Sequence, residues 1–441
     1  MTPTEHQKLV NALTGILRDA LSGDQDPAPH DSGMYFEFKG LGGLRLSREE
    51  SEKMNEAADL LVEAYPRVAR KSILNELQRF CCRFISVMEA GSREFPIPHK
   101  LPELLNLFDL LQSQSTTVYI QVAGIDLKVD EWVFGPAKFM RGNHPDVDSE
   151  RLQIMTLEGH VPKPLDPKNV LVQLKLQGEP VYARDHAAER VQEVLDCLQL
   201  LSLSENQGSW ESPNTGFYLR CCEPIPLVSA RIWSFSSKGP TWESWCGAAP
   251  IPVTGPEKCI IDKSTSAKFA QRGGCELAQM LAEICPSSFD ENLLTATTWL
   301  ANGIRERDYA RKFLSFYVTL EALFSRDDRQ LRQAKGFQSP SVPIKEGVAF
   351  LLGRTVEARR RLERRISELA ETRNRIVHRG FTVIEKSDLI DLGRYAWNSC
   401  WQAAIRREFF KEDNSFHEWL LGRKFGNADI VWPEDRGDYV I

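Results

Sequence analysis

No stretch of this sequence approaches the ~20 apolar residues that a helix needs to span a bilayer. The opening residues, Met1-Thr-Pro-Thr-Glu-His6, lack the basic start and apolar run of a secretory signal. A cytoplasmic protein with no membrane partner is therefore expected. None of the 10 cysteines forms a C-x-x-C pair or sits in a zinc-type Cys/His spacing. Without an export signal they read as reduced, mostly buried thiols. The G-x-x-x-x-G-K-[ST] loop is missing, which argues against a nucleotide kinase or ATPase. The 8 histidines are scattered and no paired-carboxylate motif stands out, which argues against a zinc or magnesium hydrolase. Neither a metal nor an organic cofactor is expected. Excess positive charge is also missing: 55 Lys and Arg stand against 61 Asp and Glu, a net charge of −6. That argues against a basic protein that coats nucleic acid, so any nucleic-acid site must be local.

What is present is ordinary globular composition, 42% apolar and 26% charged, over 441 residues. That length suggests two or three domains. An α+β protein is expected, in four parts. Residues 1–115 read as a helical N-terminal region. His6 to Leu21 place Leu9, Val10, Leu13, Ile16 and Leu17 on one helical face, and a loop follows. Ser47 with Glu50 fits a capping box for a second helical region, which Pro66 splits. Pro96, Pro98 and Pro102 mark a boundary before a short helix, Leu101 to Leu111.

Residues 116–292 read as a mixed, β-rich central domain, a candidate sensor for a regulatory or trigger protein or ligand. Thr117–Val122 and Ile125–Val129 alternate around Ala123-Gly124, which predicts a hairpin. Val170 to Leu176 predicts a strand and His186 to Leu203 a helix. Short strands and long loops are expected from Gly208 to Lys263. There Trp210, Trp233, Trp242 and Trp245 read as packing residues or as a recognition surface. Residues 293–412 read as an all-α bundle. Tyr309, Phe313, Phe316, Tyr317, Leu320 and Phe324 form an apolar face around Glu321, followed by a polar loop, Asp327 to Pro343. Helices are expected at Ile344–Leu352, Thr355–Val377 and Ser387–Phe410, with Gly380 closing the second. The tail, 413–441, is apolar enough to pack back on the body or on a partner.

The chain's most distinctive stretch is Glu371-Thr-Arg-Asn-Arg-Ile-Val-His-Arg-Gly380. It ends a segment, Arg354 to Arg379, that holds arginines 354, 359, 360, 361, 364, 365, 373, 375 and 379 against only four glutamates. Local positive charge of this kind suits phosphate contact. A solvated, salt-bridged helix face is the alternative, since Glu357/Arg361 and Glu371/Arg375 fall four apart. Arginine with histidine is the pair that metal-free RNA cleavage needs. One group moves protons near neutral pH and the other steadies negative charge on the phosphate. Residues five apart on a helix are separated by about 140°, so Arg373 and His378 do not share a face. Asn374 and His378, four apart, do, and Asn374 is placed to orient the imidazole.

At these residues the chain resembles the HEPN superfamily (higher eukaryotes and prokaryotes nucleotide-binding), and within it the Apea-like group. The resemblance rests on Phe316-Tyr-Val-Thr-Leu-Glu-Ala-Leu-Phe324, a variable loop, Arg373-Asn-Arg-Ile-Val-His-Arg-Gly380 and one further helix, and it covers about a quarter of the chain. It implies a HEPN-like helical domain with Arg373 and His378 as catalytic residues, Asn374 and Glu321 in support, and a homodimer that joins two such segments. It implies a metal-independent endoribonuclease in anti-phage defence, abortive infection or toxin-like growth arrest. RNA is the expected partner, contacted by Arg375, Arg379 and Arg365. The family also includes non-catalytic RNA- or nucleotide-binding modules and dimerisation scaffolds.

Overall fold

A computed structural model describes residues 2–21, 34–38, 42–46, 48–87, 97–122, 124–145, 170–202, 230–236, 239–245, 259–283, 286–324, 341–410 and 415–425. The protein is mostly helical with a modest sheet content, an α+β chain with a helical C-terminal region. It divides into two compact units. One comprises Met1–Tyr119, Leu174–Ala187 and Ile232–Glu243; the other comprises Ile120–Gln173, Ala188–Arg231 and Ser244–Ile441.

The first unit is built on four helices: α1 (Pro3–Leu21), α2 (Arg48–Ala64), α3 (Arg70–Val87) and α4 (Ile97–Ser113). Each contributes apolar residues at helical spacing to one core, among them Leu13, Leu17, Leu61, Ile73, Leu77 and Phe108. Pro66 lies between α2 and α3, as its missing N–H and fixed φ require. Of the proline boundary expected before Leu101, Pro96 lies outside the described residues, and Pro98 and Pro102 do not break the helix. α4 begins at Ile97, taking Pro98 into its first turn and Pro102 into its body. A first-turn proline removes an N–H that has no helical partner anyway, and Pro102 removes one hydrogen bond that the apolar face outweighs. Ser47 lies outside the described residues. A short antiparallel pair, β1 (Met34–Phe38) and β2 (Gly42–Leu46), completes the N-terminal part.

Strands β3 (Ser115–Val122), β4 (Ile125–Leu127), β5 (Glu131–Phe134), β6 (Ala137–Arg141), β7 (Val170–Gln177), β8 (Ala230–Ser236), β9 (Gly239–Trp245) and β10 (Cys259–Ile261) follow. Six of them form a sheet of order β5-β6-β7-β3-β8-β9, and β4 pairs parallel with β10. The hairpin expected around Ala123-Gly124 is therefore not formed. Gly124 turns the chain at φ 81° and its carbonyl accepts from the Cys259 N–H at 2.8 Å, so β4 takes a partner 134 residues away. The true hairpin is one turn later. Phe134 pairs with Ala137 across Gly135-Pro136, with Gly135 at φ 56°. A residue with a Cβ there would be strained and would sit 3.0 Å from the Ala278 carbonyl oxygen. Trp210 lies outside the described residues. Trp233 falls in β8 and Trp242 and Trp245 in β9, with their side chains outside the described set.

The C-terminal helices belong to the second unit. Helix α5 (Pro180–Ser202), whose later turns lie here, is followed by α6 (Lys263–Phe269), a kink at Arg272-Gly273, where Gly273 has φ 87°, and α7 (Cys275–Ala282). Then come α8 (Ser288–Arg305), α9 (Tyr309–Phe324), α10 (Ser341–Leu352), α11 (Val356–Arg379) and α12 (Lys386–Ala404). Two shorter helices close the region, α13 (Arg407–Phe410) and α14 (Ser415–Phe425). The single last helix expected to reach Phe410 is interrupted at Ile405-Arg406. Beyond this turn Arg407, fully buried, meets Asp290 with Nε at 2.6 Å and Nη2 at 2.8 Å, and Glu283 at 2.6 Å. Asp290 also closes a capping box with Ser287 at the start of α8. In α14, Phe416 and Leu420 are buried, and Phe416 contacts Phe289, Phe324 and Phe410 at centroid distances of 5.3, 5.9 and 4.7 Å. Of the two outcomes left open for the tail, residues 415–425 show packing on the body; 426–441 lie outside the described residues. Gly303 lets α8 approach α9, since a Cβ there would meet the Phe316 ring at 2.6 Å.

Burial pushes the Asp290 carboxyl up, but its bonds to Arg407 and Ser287 outweigh this and hold it below its ordinary 3.8. The pair therefore contributes stability above that value, lost as pH falls through the folded-state pKa. Asp290→Ala leaves Arg407 buried without its main partner and is expected to lower unfolding free energy by about 3–5 kcal/mol in urea denaturation. A second buried charge has the opposite sign. Lys312 on α9 is 2% exposed, and burial pushes it down to about 8 despite the nearby Glu306 charge. Its unfolded form binds the proton more tightly, so stability rises between pH 8 and 10.5. Lys312→Met is expected to raise the denaturation midpoint at pH 7, with the gain shrinking across that window.

Candidate functional site

Helix α11 carries the Arg-His stretch. Thr355 caps it, accepting from the Ala358 N–H at 3.1 Å. Leu362, Ile366, Leu369, Ala370, Thr372 and Ile376 form its buried stripe, spaced three and four apart. The other positions, most of the arginines among them, are left to the surface. Gly380 ends the helix in the left-handed region, φ 62° and ψ 26°, where its N–H reaches the Ile376 carbonyl at 3.1 Å. No atom lies within 4 Å of where a Cβ would stand, so glycine is favoured there by backbone conformation alone.

The stripe fixes where each expected site residue points. Arg373 turns toward α9. Its Nη2 donates to Glu321 Oε1 at 3.2 Å, both side chains being 30% exposed, and its guanidinium lies 5.8 Å from the centre of the Tyr317 ring. Tyr317 sits one turn before Glu321, and burial with the Glu321 charge pushes its phenol up to about 12, against the pull of Arg373. The structure thus brings together Arg373 and Glu321, 52 residues apart in sequence, and adds Tyr317 as the floor beneath them. His378 points elsewhere. It is exposed in the last turn, as is Asn374 one turn before it. Among the described residues no hydrogen bond joins Asn374 to His378, and none joins Arg373 to His378. The second absence agrees with the angular separation of positions five apart; the first differs from the expected contact, since Asn374 and His378, though four apart, both face solvent.

The three expected phosphate contacts differ. Arg379 is exposed at the helix end. Arg375 is exposed but steadied, donating to Thr372 Oγ1 at 2.9 Å and lying 4.9 Å from the Phe381 ring centre. Arg365 is bound to α12. It donates to Asp388 at 2.7 Å, to Asp391 at 2.8 Å and to Glu368 at 3.0 Å. Burial works against its charge, but these three carboxylates outweigh it and raise its pKa. A phosphate at Arg365 competes with three anions already in place. Nothing in the local sequence signals this, because Asp388 and Asp391 lie 23 and 26 residues away on another helix. Tyr317 belongs to the apolar face of its helix, and its spacing of four from Glu321 is the sequence signal that places the two together. No group of three His, Cys, Asp or Glu placed to hold a metal occurs among the described residues.

Comparison with protein-family models, with curated proteins and with solved structures finds no match to this chain.

Two substitutions separate structural from site residues. Gly380→Ala forces a Cβ into left-handed backbone and is expected to destabilise by about 1 kcal/mol in urea denaturation. Arg365→Gln leaves three carboxylates facing one another, and is expected to lower the melting temperature by several degrees in a thermal circular-dichroism scan.

Proposed function

We propose that the C-terminal helices form a metal-independent endoribonuclease of HEPN type. The observation that carries this reading is the anchoring of Arg373 by Glu321 over the Tyr317 ring, close in the chain to an exposed histidine. An arginine held by a carboxylate and a ring face presents its remaining donors in a fixed direction. Together with Arg375 and Arg379 it makes a positive helix end able to take an RNA phosphate. There the RNA 2′-oxygen attacks phosphorus, the bond to the 5′-oxygen breaks, and a 2′,3′-cyclic phosphate and a 5′-hydroxyl result. One imidazole takes the 2′ proton and one imidazolium protonates the leaving oxygen, while Arg373 steadies the doubly charged phosphorane. Each chain offers one His378, so a symmetric dimer supplies the second. Val377 and Val383, 49% and 73% exposed beside this end, give self-association an apolar contact. In this reading the rest of the chain senses a trigger, and the biological setting is anti-phage defence or growth arrest.

A second reading is a non-catalytic RNA-binding or dimerisation module. It is favoured by Arg365, whose three carboxylate partners remove one cation from the phosphate-binding set, and by the lack, among the described residues, of a hydrogen bond orienting His378.

Purified protein incubated with mixed RNA and matching DNA in EDTA distinguishes the two. The nuclease reading expects cleavage of RNA alone, reduced at least 100-fold in His378→Ala and in Arg373→Ala, with helical circular dichroism unchanged. RNA retention that falls with salt while the RNA stays intact, with and without lysate from phage-infected cells, assigns the binding module instead.

A further inference from the structure

Two ion pairs suggested by spacing along α11, Glu357 with Arg361 and Glu371 with Arg375, would make its surface self-neutralised. Among the described residues neither forms. Arg375 turns instead to Thr372 and the Phe381 ring. Arg360, Arg361 and Arg364 are exposed, and among the described residues none of the three makes a hydrogen bond, an ion pair or a ring contact. Their neighbours on the same helix are held. Arg359 donates to the Gly353 carbonyl at 2.9 Å and lies 5.0 Å from the Phe350 ring centre, and Arg365 meets its three carboxylates.

Helical geometry sets these three cations on the face that carries His378. With 3.6 residues per turn, Arg360, Arg361, Arg375, His378 and Arg379 all fall within roughly 60° of Arg364 about the axis. All of them are exposed, and the buried stripe through Leu362, Ile366, Leu369 and Ile376 runs along the opposite side. The same face carries Glu357 before the first group and Glu368 and Glu371 between the two groups. Glu368 already meets Arg365 at 3.0 Å. Positive charge is therefore offered at two separated points rather than continuously. Along the helix Arg364 is roughly 21 Å and Arg360 roughly 27 Å from His378, at about 1.5 Å per residue. A small phosphate compound cannot touch both groups. A stacked nucleic-acid strand, with one phosphate every ~3.4 Å, covers that span in about six to eight nucleotides.

We propose that Arg360, Arg361 and Arg364 form a second phosphate-contact point for an RNA strand, several nucleotides away from the bond that is cut. The inference rests on the reading of His378 as the cleavage centre, and it adds a minimum substrate length. A strand of two or three nucleotides at His378 does not reach Arg364; one that extends about six or more to that side does. Guanidinium groups grip phosphate oxygens and leave the bases unread, so this contact gives affinity and a length preference without a sequence preference.

The full chain is compared in EDTA with a variant carrying Arg360→Gln, Arg361→Gln and Arg364→Gln together, on a single-stranded RNA dinucleotide and dodecanucleotide. All three positions are exposed and glutamine is a good helix former, so helical circular dichroism is expected to match the parent. Binding is read in the His378→Ala background, which keeps the RNA whole. For the dodecanucleotide it is expected to weaken about tenfold or more near 0.15 M salt, and the slope of log K against log salt to flatten by about 2, three contacts at about 0.7 each. The preference in kcat/KM for the dodecanucleotide over the dinucleotide is expected to fall by a similar factor. An unchanged slope overturns the proposal, as does an unchanged length preference; cleavage that is still lost in His378→Ala then leaves the nuclease reading standing. If the parent cuts neither RNA, the nuclease reading fails and the slope alone decides: flattening keeps the three arginines as an RNA contact, and no flattening removes them. Poly-glutamate binding lost in the variant, with RNA binding unchanged, overturns the proposal in favour of an acidic protein partner.

Discussion

The buried ion pair between Arg407 and Asp290 is the constraint on which the C-terminal helices depend. A guanidinium removed from water is tolerable only where carboxylates meet it, and Asp290 and Glu283 do so. Asp290 is also the third residue of the capping box that starts α8, so one carboxylate fixes both a helix start and the position of α13. From α8 the rest follows. Gly303 lets α9 come close, α9 carries Tyr317 and Glu321, and Glu321 fixes the direction of Arg373 on α11. The candidate site is thus held by three successive contacts rather than by the Arg-His stretch itself.

Charge on α11 is divided by what each arginine meets. The buried stripe leaves the arginines on the remaining faces, and their neighbours then separate them into three groups. Arg365 is matched by three carboxylates and joins α11 to α12. Arg373 is matched by one carboxylate and a ring, which steadies it without covering it. At the amino end, Arg359 lies with Arg354, Arg406 and Arg423, where positive charges act on each other. A strip that looks uniform in sequence is therefore a cross-link in the middle and an exposed positive end beside Gly380.

The helices were the most legible part of the fold. Apolar residues at spacings of three and four are a local property of the chain, and they located α1, α9 and α11 to within a few residues. Strand pairing was less legible. The alternation around Ala123-Gly124 correctly marked extended chain but not its partner, because a parallel pair with Cys259–Ile261 is decided by contacts more than a hundred residues apart. The α4 prolines misled for a related reason. Their local penalty is small beside the burial of Leu101, Leu104 and Phe108 in a shared core.

For the candidate site the same division holds. Sequence by itself determined which residue types stand at the end of α11 and the closure of that helix at Gly380, since helical period and glycine's access to positive φ are properties of the local chain. It also determined that Arg373 and His378 face different ways. Tertiary structure decided which charges are matched. Glu321, Asp388 and Asp391 reach their arginines across helix packing. Coulomb energy depends on distance and burial in space, and neither is written in the spacing of residues along the chain.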